Sequence, residues 1–247
     1  MLPRVLVLPA VILALAAPAL ATSTLAQVKC GDDLPPIDRD AETRMTAQDF
    51  VRALSVKEAA FSKALGNYGY TVDATVETLD GDTVDGEYHQ VSMMRFDANG
   101  LRREPILTTV NTLKRIKFSD RDVDALRDAF TLTPDRISTG DIVYSGRQKV
   151  GEINAALFDV LPRNPSAEIR GFEGRAWVRA REDAVMRLCG RSSATPIAPM
   201  RFEVIRALVD DQYWFPVSIR ADEEAQIGKD EKVHVRVTVT YSNYKSR

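Results

Sequence analysis

The sequence predicts a mainly β protein built on one wide antiparallel sheet. About ten segments alternate apolar and polar residues with a period of two, as strands with one buried face do. Turn residues separate consecutive segments, and only two stretches show helical spacing. A sheet of this width does not stay flat, so it curls into a barrel or half-barrel or splits into a sandwich. No repeat and no linker divides residues 46–247, which predicts one domain there.

The N-terminus has the composition of a secretory signal peptide. Arg4 precedes an apolar run from Val5 to Leu20, and small residues follow it, which predicts cleavage after Ala21 or Ala26. Residues 1–26 are therefore expected to be removed on export. No later stretch supplies the ~20 apolar residues of a spanning helix, so we expect no transmembrane segment in the mature chain.

Residues 27–45 predict an irregular arm that carries one of the chain's two cysteines. Cys30 and Cys189 are expected to form a disulfide, because paired thiols are readily oxidised in an exported protein. The bond would fasten the arm to the body. Lys29 stands directly before Cys30 and argues against that cysteine as a lipid-attachment site.

The charge balance argues against nucleic acid as a partner. The chain has 33 basic and 35 acidic residues, a net charge of −2, and the two signs alternate along the sequence. Nucleic-acid-binding proteins usually present a basic face instead.

The first predicted element of the domain is a helix over residues 46–65. Thr46 and Asp49 have the spacing of a capping box, and four apolar residues follow at helical spacing. These are Phe50, Leu54, Phe61 and Leu65. Gly66-Asn67 ends the helix.

Strands follow, with one interruption. The period becomes two at Tyr68, and a meander over 68–77, 87–97 and 101–107 is expected, with hairpin turns between the strands. Residues 119–130 predict a short amphipathic helix that begins at Ser119. Seven further strands are expected at about 142–149, 153–161, 172–179, 184–189, 200–209, 213–220 and 232–244.

No pattern indicates a catalytic, metal or cofactor site. Asp80, Asp82 and Asp85 cluster in a glycine-containing turn, but their spacing does not match a calcium-binding loop. His89 and His234 both lie on polar phases of predicted strands, as surface histidines do. Nucleophile elbows, phosphate-binding glycine loops and dinucleotide fingerprints are absent from the sequence. We therefore expect a protein that is not an enzyme and has no cofactor.

The segment DDQYWFPVSIRAD, residues 210–222, concentrates aromatic residues. A turn at Asp210-Asp211 leads into a strand on which Tyr213 and Phe215 share one face and Trp214 takes the other. Pro216 cannot donate to a strand ladder and suits an edge or a bulge.

Four motifs in the C-terminal half resemble the outer-membrane lipoprotein-sorting superfamily, the LolA/LolB-like group of exported proteins. They are two strands that pair with each other, an aromatic hairpin and a terminal strand with spaced tyrosines. The matching residues are Phe172, Gly174, Trp177, Val178, Val185, Arg187, Gly190, Asp210, Tyr213, Trp214, Pro216, Tyr241 and Tyr244. With a less specific likeness nearer the N-terminus, the resemblance covers about residues 55–247. Arg179 departs from the family pattern, which has an acidic residue there.

This resemblance implies an open half-barrel with segments 46–65 and 119–130 covering its concave apolar side. It implies a periplasmic carrier or sensor, soluble or peripheral to the outer membrane, that binds a lipid, a lipoprotein or another amphiphile through its acyl chains. The expected lining residues lie on apolar phases of the strands. They are Tyr88, Met94, Phe96, Phe202, Tyr213 and Phe215.

A second hypothesis is a structural or interaction protein of the envelope that docks through a face or an edge of the sheet. Arg175, Trp177 and Arg179 share one phase of a strand, so an exposed Trp177 between two arginines would form a docking patch. The alternative for Trp177 is a ring shielded by arginine stems.

Overall fold

The computed structural model describes residues 30–43, 45–137, 140–163, 171–197 and 200–247. The predicted signal peptide, residues 1–26, lies outside these ranges. Within these ranges there are three helices, α1 Ala47–Leu65, α2 Asp120–Ala129 and α3 Pro134–Ile137. The strands are β1 Tyr68–Asp80, β2 Thr83–Phe96, β3 Arg102–Arg103, β4 Ile106–Asn111, β5 Gly140–Val150, β6 Ile153–Pro162, β7 Phe172–Arg179, β8 Ala184–Ser192, β9 Phe202–Val209, β10 Tyr213–Gln226 and β11 Lys232–Ser246.

All eleven strands form one antiparallel sheet that is not closed into a barrel. The order is β3-β2-β1-β11-β10-β9-β8-β7-β6-β5, and β4 pairs with β2 beside β3. The meander is thus continuous from β5 to β11, and β11 then joins the first hairpin through β1. The prediction of a single antiparallel half-barrel with short helices is confirmed.

Alternation along the strands divides the sheet into two faces. In β11, Val233, Val235, Val237, Val239 and Tyr241 are all buried on one face, while the intervening residues are more exposed. The same face of the other long strands packs under the helices, and we call it the covered face. We call the opposite face the outer face.

The two predicted helices begin where their capping residues stand. At α1 the Thr46 hydroxyl accepts the Asp49 amide at 3.1 Å, and the Asp49 carboxylate accepts the Thr46 amide at 3.2 Å. Ser119 and Asp122 form the corresponding box at α2. Helix α3 was not predicted, since a helix of four residues is too short to show a period.

The predicted third strand is divided in two. Pro105 separates β3 from β4, and the pairing of β4 with β2 shifts register between Val91 and Ser92. A proline has no amide to donate, so a ladder breaks or bulges at its position. The prediction of one strand over 101–107 was therefore wrong at Pro105, and pairing resumes further along than expected.

Trp177 is fully buried, so the hypothesis of an exposed docking patch was wrong, and the alternative of a ring shielded by arginine side chains is the one observed. The N-terminal arm crosses the outer face there, where Cys30 is bonded to Cys189. The Trp177 indole nitrogen donates to Gln148 Oε1 at 2.7 Å, and the ring lies between the guanidinium groups of Arg175 and Arg187. Arg179 contacts Trp214 instead.

The aromatic segment on β10 divides between the two faces as predicted. Asp210 and Asp211 have φ angles of 51° and 55° and form the turn between β9 and β10. Phe215 packs in the core of the covered face, whereas Trp214 packs beside Trp177 on the outer face. Pro216 lies at a register shift in the pairing with β9. Among the described residues, no helix is long and apolar enough to cross a membrane.

Candidate functional site

The six predicted lining residues lie on one face of the sheet but not in one place. Tyr88, Met94, Phe202 and Phe215 are buried in the core of the covered face, and Tyr213 packs against it half-buried. Phe96 lies outside that core, at the end of β2, where the Arg247 guanidinium stands 5.5 Å from its ring centroid. Tyr213 and Phe215 are the one pair among the six whose rings contact each other, stacked with centroids 5.6 Å apart. Tyr88 and Met94 on β2 are separated from them by β1 and β11.

Phe215 is the centre of an aromatic cluster that joins the sheet to its helical cover. Its ring lies 4.8 Å from Tyr68 of β1, 5.1 Å from Tyr244 of β11 and 5.6 Å from Phe61 of α1. Tyr244 also donates its hydroxyl to the Pro216 carbonyl at 2.6 Å. We call Phe61, Tyr68, Tyr213, Phe215 and Tyr244 the aromatic cluster. In it, Phe61 of α1 contacts Phe215 of β10, which in turn contacts Tyr68 of β1 and Tyr244 of β11.

A buried ion pair fastens α1 beside this cluster. Arg206 Nη1 donates to Glu58 Oε1 at 2.5 Å and Nη2 donates to Glu58 Oε2 at 3.0 Å, with each side chain 4 % exposed. The Leu132 amide donates to the same carboxylate at 3.1 Å, and Arg206 also donates to the Phe130 carbonyl. One pair therefore ties α1, β9 and the segment after α2 together.

The sequence carries a signal for this ion pair that the prediction did not use. Glu58 stands four residues after Leu54, inside the apolar stripe of the helix, and Arg206 follows Phe202 and Val204 on the buried phase of its strand. Two opposite charges on buried phases indicate a buried pair, because an unpaired charge is costly there.

The tyrosines of the covered face are held in their neutral form. Burial, followed by the hydrogen bond its hydroxyl donates to Asp210 at 2.7 Å, raises the pKa of Tyr68 to about 12. Burial also raises the pKa values of Tyr70, Tyr241 and Tyr244. Arg102 and Arg127 both donate to the Tyr70 hydroxyl, at 3.0 and 3.3 Å. At neutral pH these phenols are therefore uncharged, and they place polar hydroxyl groups among the apolar rings of the covered face.

Two grooves open on the surface near the helical cover. One of about 550 Å³ lies between the arm, the start of α1 and the β7–β8 turn, and its lining includes Glu42, Asp49, Arg147 and Asp183. A smaller one of about 130 Å³ lies at the end of α1 and reaches Phe61 and Arg127. None of the six predicted lining residues borders either groove. Tyr88, Met94, Phe202, Tyr213 and Phe215 instead pack in or against the core of the covered face.

Comparison with known proteins gives likenesses in structure alone. No protein-family model matches the chain, and no curated protein matches it. A LolA superfamily protein from Nitrosomonas europaea is similar with a TM-score of 0.37 and 9% identity, over 82% of this chain and 94% of that one. A DUF1329 family protein from Desulfovibrio piger gives a TM-score of 0.35 and 12% identity, over 79% of this chain and 92% of that one.

A third solved structure is a putative outer membrane lipoprotein-sorting protein domain from Vibrio parahaemolyticus. Its TM-score is 0.35 and its identity 8%, over 78% of this chain and 91% of that one. The structural neighbours are thus LolA superfamily, DUF1329 and lipoprotein-sorting domain proteins. At these identities the likeness concerns the fold.

Proposed function

We propose that the protein is an exported periplasmic carrier or sensor that binds the acyl chains of a lipid, a lipoprotein or another amphiphile without catalysing a reaction. The observation that carries the proposal is the construction of the covered face. A continuous apolar surface from nearly every strand lies under helices that the sheet does not need for its own hydrogen bonds. Movement of α1 would expose that surface and leave the ladders intact.

The energies involved make such an opening reachable by a lipid. Deleting one partner of a buried ion pair such as Glu58–Arg206 costs on the order of 3–5 kcal/mol, and this is an upper bound on the cost of releasing the pair when α1 moves, because both charges then return to water. Each methylene that leaves water contributes about 0.8 kcal/mol, so about five methylenes offset the loss of the pair. An acyl chain of ordinary length has more than that. The ligand would then stabilise the open form by binding to it preferentially.

Within this proposal, the aromatic cluster is where the chain would enter. Tyr213 is half-buried, as Phe61 and Tyr244 are, and Phe215 stacks on it from the interior. Tyr88, Met94 and Phe202 would line deeper parts of the same face, and Phe96 would stand at its end. The predicted export and the arm disulfide suit an oxidising compartment such as the periplasm.

A fluorescent fatty acid, dansyl-undecanoic acid, tests the proposal. We expect saturable binding to the full chain, and at least fivefold weaker binding by Tyr213→Ala. Trp214→Ala is the matched control, because Trp214 is the next residue of the same strand and faces the outer side. Glu58→Gln should speed probe uptake several-fold, since it weakens the attachment of α1.

Native mass spectrometry of the protein purified from its own periplasm gives a second measurement. An amphiphile carried through purification is the expected result. The carrier function is wrong if no amphiphile is bound and neither the wild type nor Glu58→Gln binds the probe saturably.

A further inference from the structure

The two edge strands of the sheet differ in whether their outer backbone groups are covered. At one end, the N-terminal arm covers β5: Asp38 and Arg147 exchange backbone hydrogen bonds at 2.8 Å, and Gln148 donates to the Pro35 carbonyl at 2.6 Å. At the other end, β4 pairs with β2 on one side, and none of the described residues pairs with it on the other. An open strand edge is a ready template for another strand, which proteins usually cover or protect with charge.

The free edge of β4 has backbone groups available for a partner strand. The Thr112 amide donates to the Glu87 carbonyl at 2.7 Å, toward β2. Hydrogen bonds alternate along an antiparallel strand, so Val110 also directs its backbone groups to β2. Thr109 and Asn111 therefore present their amides and carbonyls to the open side.

Large apolar side chains are exposed around this edge. Leu101, Ile106, Leu107 and Val110 are 54 %, 47 %, 54 % and 45 % exposed, and all six residues of β4 are exposed. Ile106 pairs with Ser92, which faces the helices, whereas Val110 pairs with His89 on the outer face. The apolar groups thus occur on both faces of the strand. A membrane surface needs them in one plane, whereas a strand that extends the sheet can contact apolar side chains on either face.

The same segment is basic in a chain that is slightly acidic overall. Residues 101–117 contain five basic residues and one acidic residue, Glu104. Within the described part of the chain, Lys114 and Lys117 form no ion pair. In a symmetric antiparallel pairing of two β4 strands, Arg102 and Arg103 of each copy would approach Lys114 and Lys117 of the other. That repulsion disfavours a second copy as the occupant, and it favours an acidic one.

We propose that β4 is a docking edge for an extended, acidic peptide segment of another protein, which adds to the sheet as a further antiparallel strand. Backbone hydrogen bonds at Thr109 and Asn111 supply the pairing, and Lys114 and Lys117 attract the acidic flanks. The site is separate from the aromatic cluster and does not depend on lipid binding.

The test uses a labelled probe peptide, Glu-Glu-Val-Thr-Val-Thr-Val-Glu-Glu, and the full chain in fluorescence anisotropy. We expect saturable binding that weakens as salt is raised, and at least tenfold weaker binding of the same peptide with Lys in place of each Glu. Thr109→Pro should weaken binding of the acidic probe at least tenfold, because it removes an outward amide. Thr109→Val, which keeps the amide and loses the same hydroxyl, should bind like the wild type.

A second variant does not depend on the proline being tolerated. Lys114→Glu with Lys117→Glu should weaken the probe at least tenfold, whereas Lys57→Glu with Lys63→Glu, an equal charge change on exposed residues of α1, should not. Equal binding by all variants would overturn the proposal. So would sedimentation with anionic phospholipid vesicles in place of peptide binding, which assigns the edge to a lipid surface. Dimerisation abolished by Thr109→Pro would assign it to a second copy.

Discussion

Glu58 and Arg206 show how single residues determine where the helical cover sits. Each lies on the buried phase of its own element, and the carboxylate also accepts the Leu132 amide. The pairing satisfies both charges, so the cost of burying them is met only when α1 is seated on β9. Such a pair therefore determines where α1 sits on the sheet more directly than it adds to the net stability of the fold.

Replacing one member of this pair is expected to cost more than replacing both. Glu58→Gln leaves the Arg206 charge buried without a counter-charge, and we expect a loss of roughly 3–5 kcal/mol in the free energy of unfolding. Glu58→Leu combined with Arg206→Met removes both charges and should recover most of that loss. Urea unfolding followed by circular dichroism measures both. Asp141→Asn, at an exposed pair with Arg163, is the control and should cost less than about 1 kcal/mol.

The opposite ranking, with the double variant less stable than Glu58→Gln, would show that the pair itself contributes net stability.

The same two residues show which part of a buried ion pair can be predicted from the sequence. A charge on an apolar phase is visible in the sequence at both positions. Which two charges meet across 148 positions is decided by the tertiary fold, and no local period encodes it.

Among the elements, the N-terminal arm departs furthest from its sequence pattern. Its composition predicts only an irregular arm, yet over the described residues 30–43 it covers a second core on the outer face. Cys30, Leu34 and Ile37 pack there against Trp177. Arg187, buried beside that ring, donates to Asp33 at 2.7 Å and also pairs with Glu203.

An exposed Trp177 was one of two hypotheses for this ring, because alternation alone assigns only two faces to a strand, one buried and one exposed to solvent. The outer face of β7 is shielded from solvent because the N-terminal arm packs over it. A period of two within one strand carries no information about a distant segment that packs on that strand. The strand at 101–107 was misplaced for a different reason. Pro105 was visible in the sequence, but the register shift that restores pairing beyond it depends on β2.

Reduction of the Cys30–Cys189 disulfide is expected to loosen the arm and expose the Trp177 ring to solvent. The chain-entropy model gives a loss of about 5 kcal/mol for a bond that spans 159 positions, as an upper bound. In a Trp214→Phe background, Trp177 is the only tryptophan, so its fluorescence reports on the arm. We expect a red-shifted emission maximum, stronger acrylamide quenching and a lower urea midpoint after reduction.

The control is Cys30→Ser with Cys189→Ser in the same background. This variant should show the red-shifted emission of a solvent-exposed Trp177 with or without reductant. A reduced protein that keeps both the blue emission and the urea midpoint would show that packing and the Asp33–Arg187 contact hold the arm without the covalent bond.

For the whole molecule, the sequence predicts the class of the sheet better than its limits. Local alternation predicts about ten strands, and eleven are observed within the described residues because Pro105 divides the third of them. The joining of β11 to β1 and the covering of β5 by the arm involve residues far apart in sequence. These long-range pairings leave one edge closed and the other open. The candidate site follows the same division: its residues lie on the predicted face, but only Tyr213 and Phe215 form a ring contact with each other.

The buried tyrosines give the molecule an alkaline limit. Burial is the main cause that raises the pKa values of Tyr68, Tyr70, Tyr88, Tyr241 and Tyr244 in the folded state. In the unfolded chain a tyrosine titrates near pH 10. The folded state therefore holds these protons more tightly. Their contribution to stability is fully present below about pH 10 and is lost as the pH rises through the folded pKa values, among which that of Tyr68 is about 12.

A spectrophotometric titration at about 295 nm, run beside near-ultraviolet circular dichroism, checks this expectation. Near pH 10 the native protein should show much less tyrosinate than the same chain in urea, and the missing absorbance should appear together with loss of the dichroism signal. Tyr241→Phe should move that transition to higher pH, because the Tyr241 hydroxyl is buried without a hydrogen-bond partner in the described part of the chain. Five tyrosines that ionise near pH 10 with the dichroism intact would mean that water reaches the covered face without unfolding. The helical cover would then be open in solution far more often than the buried Glu58–Arg206 pair implies.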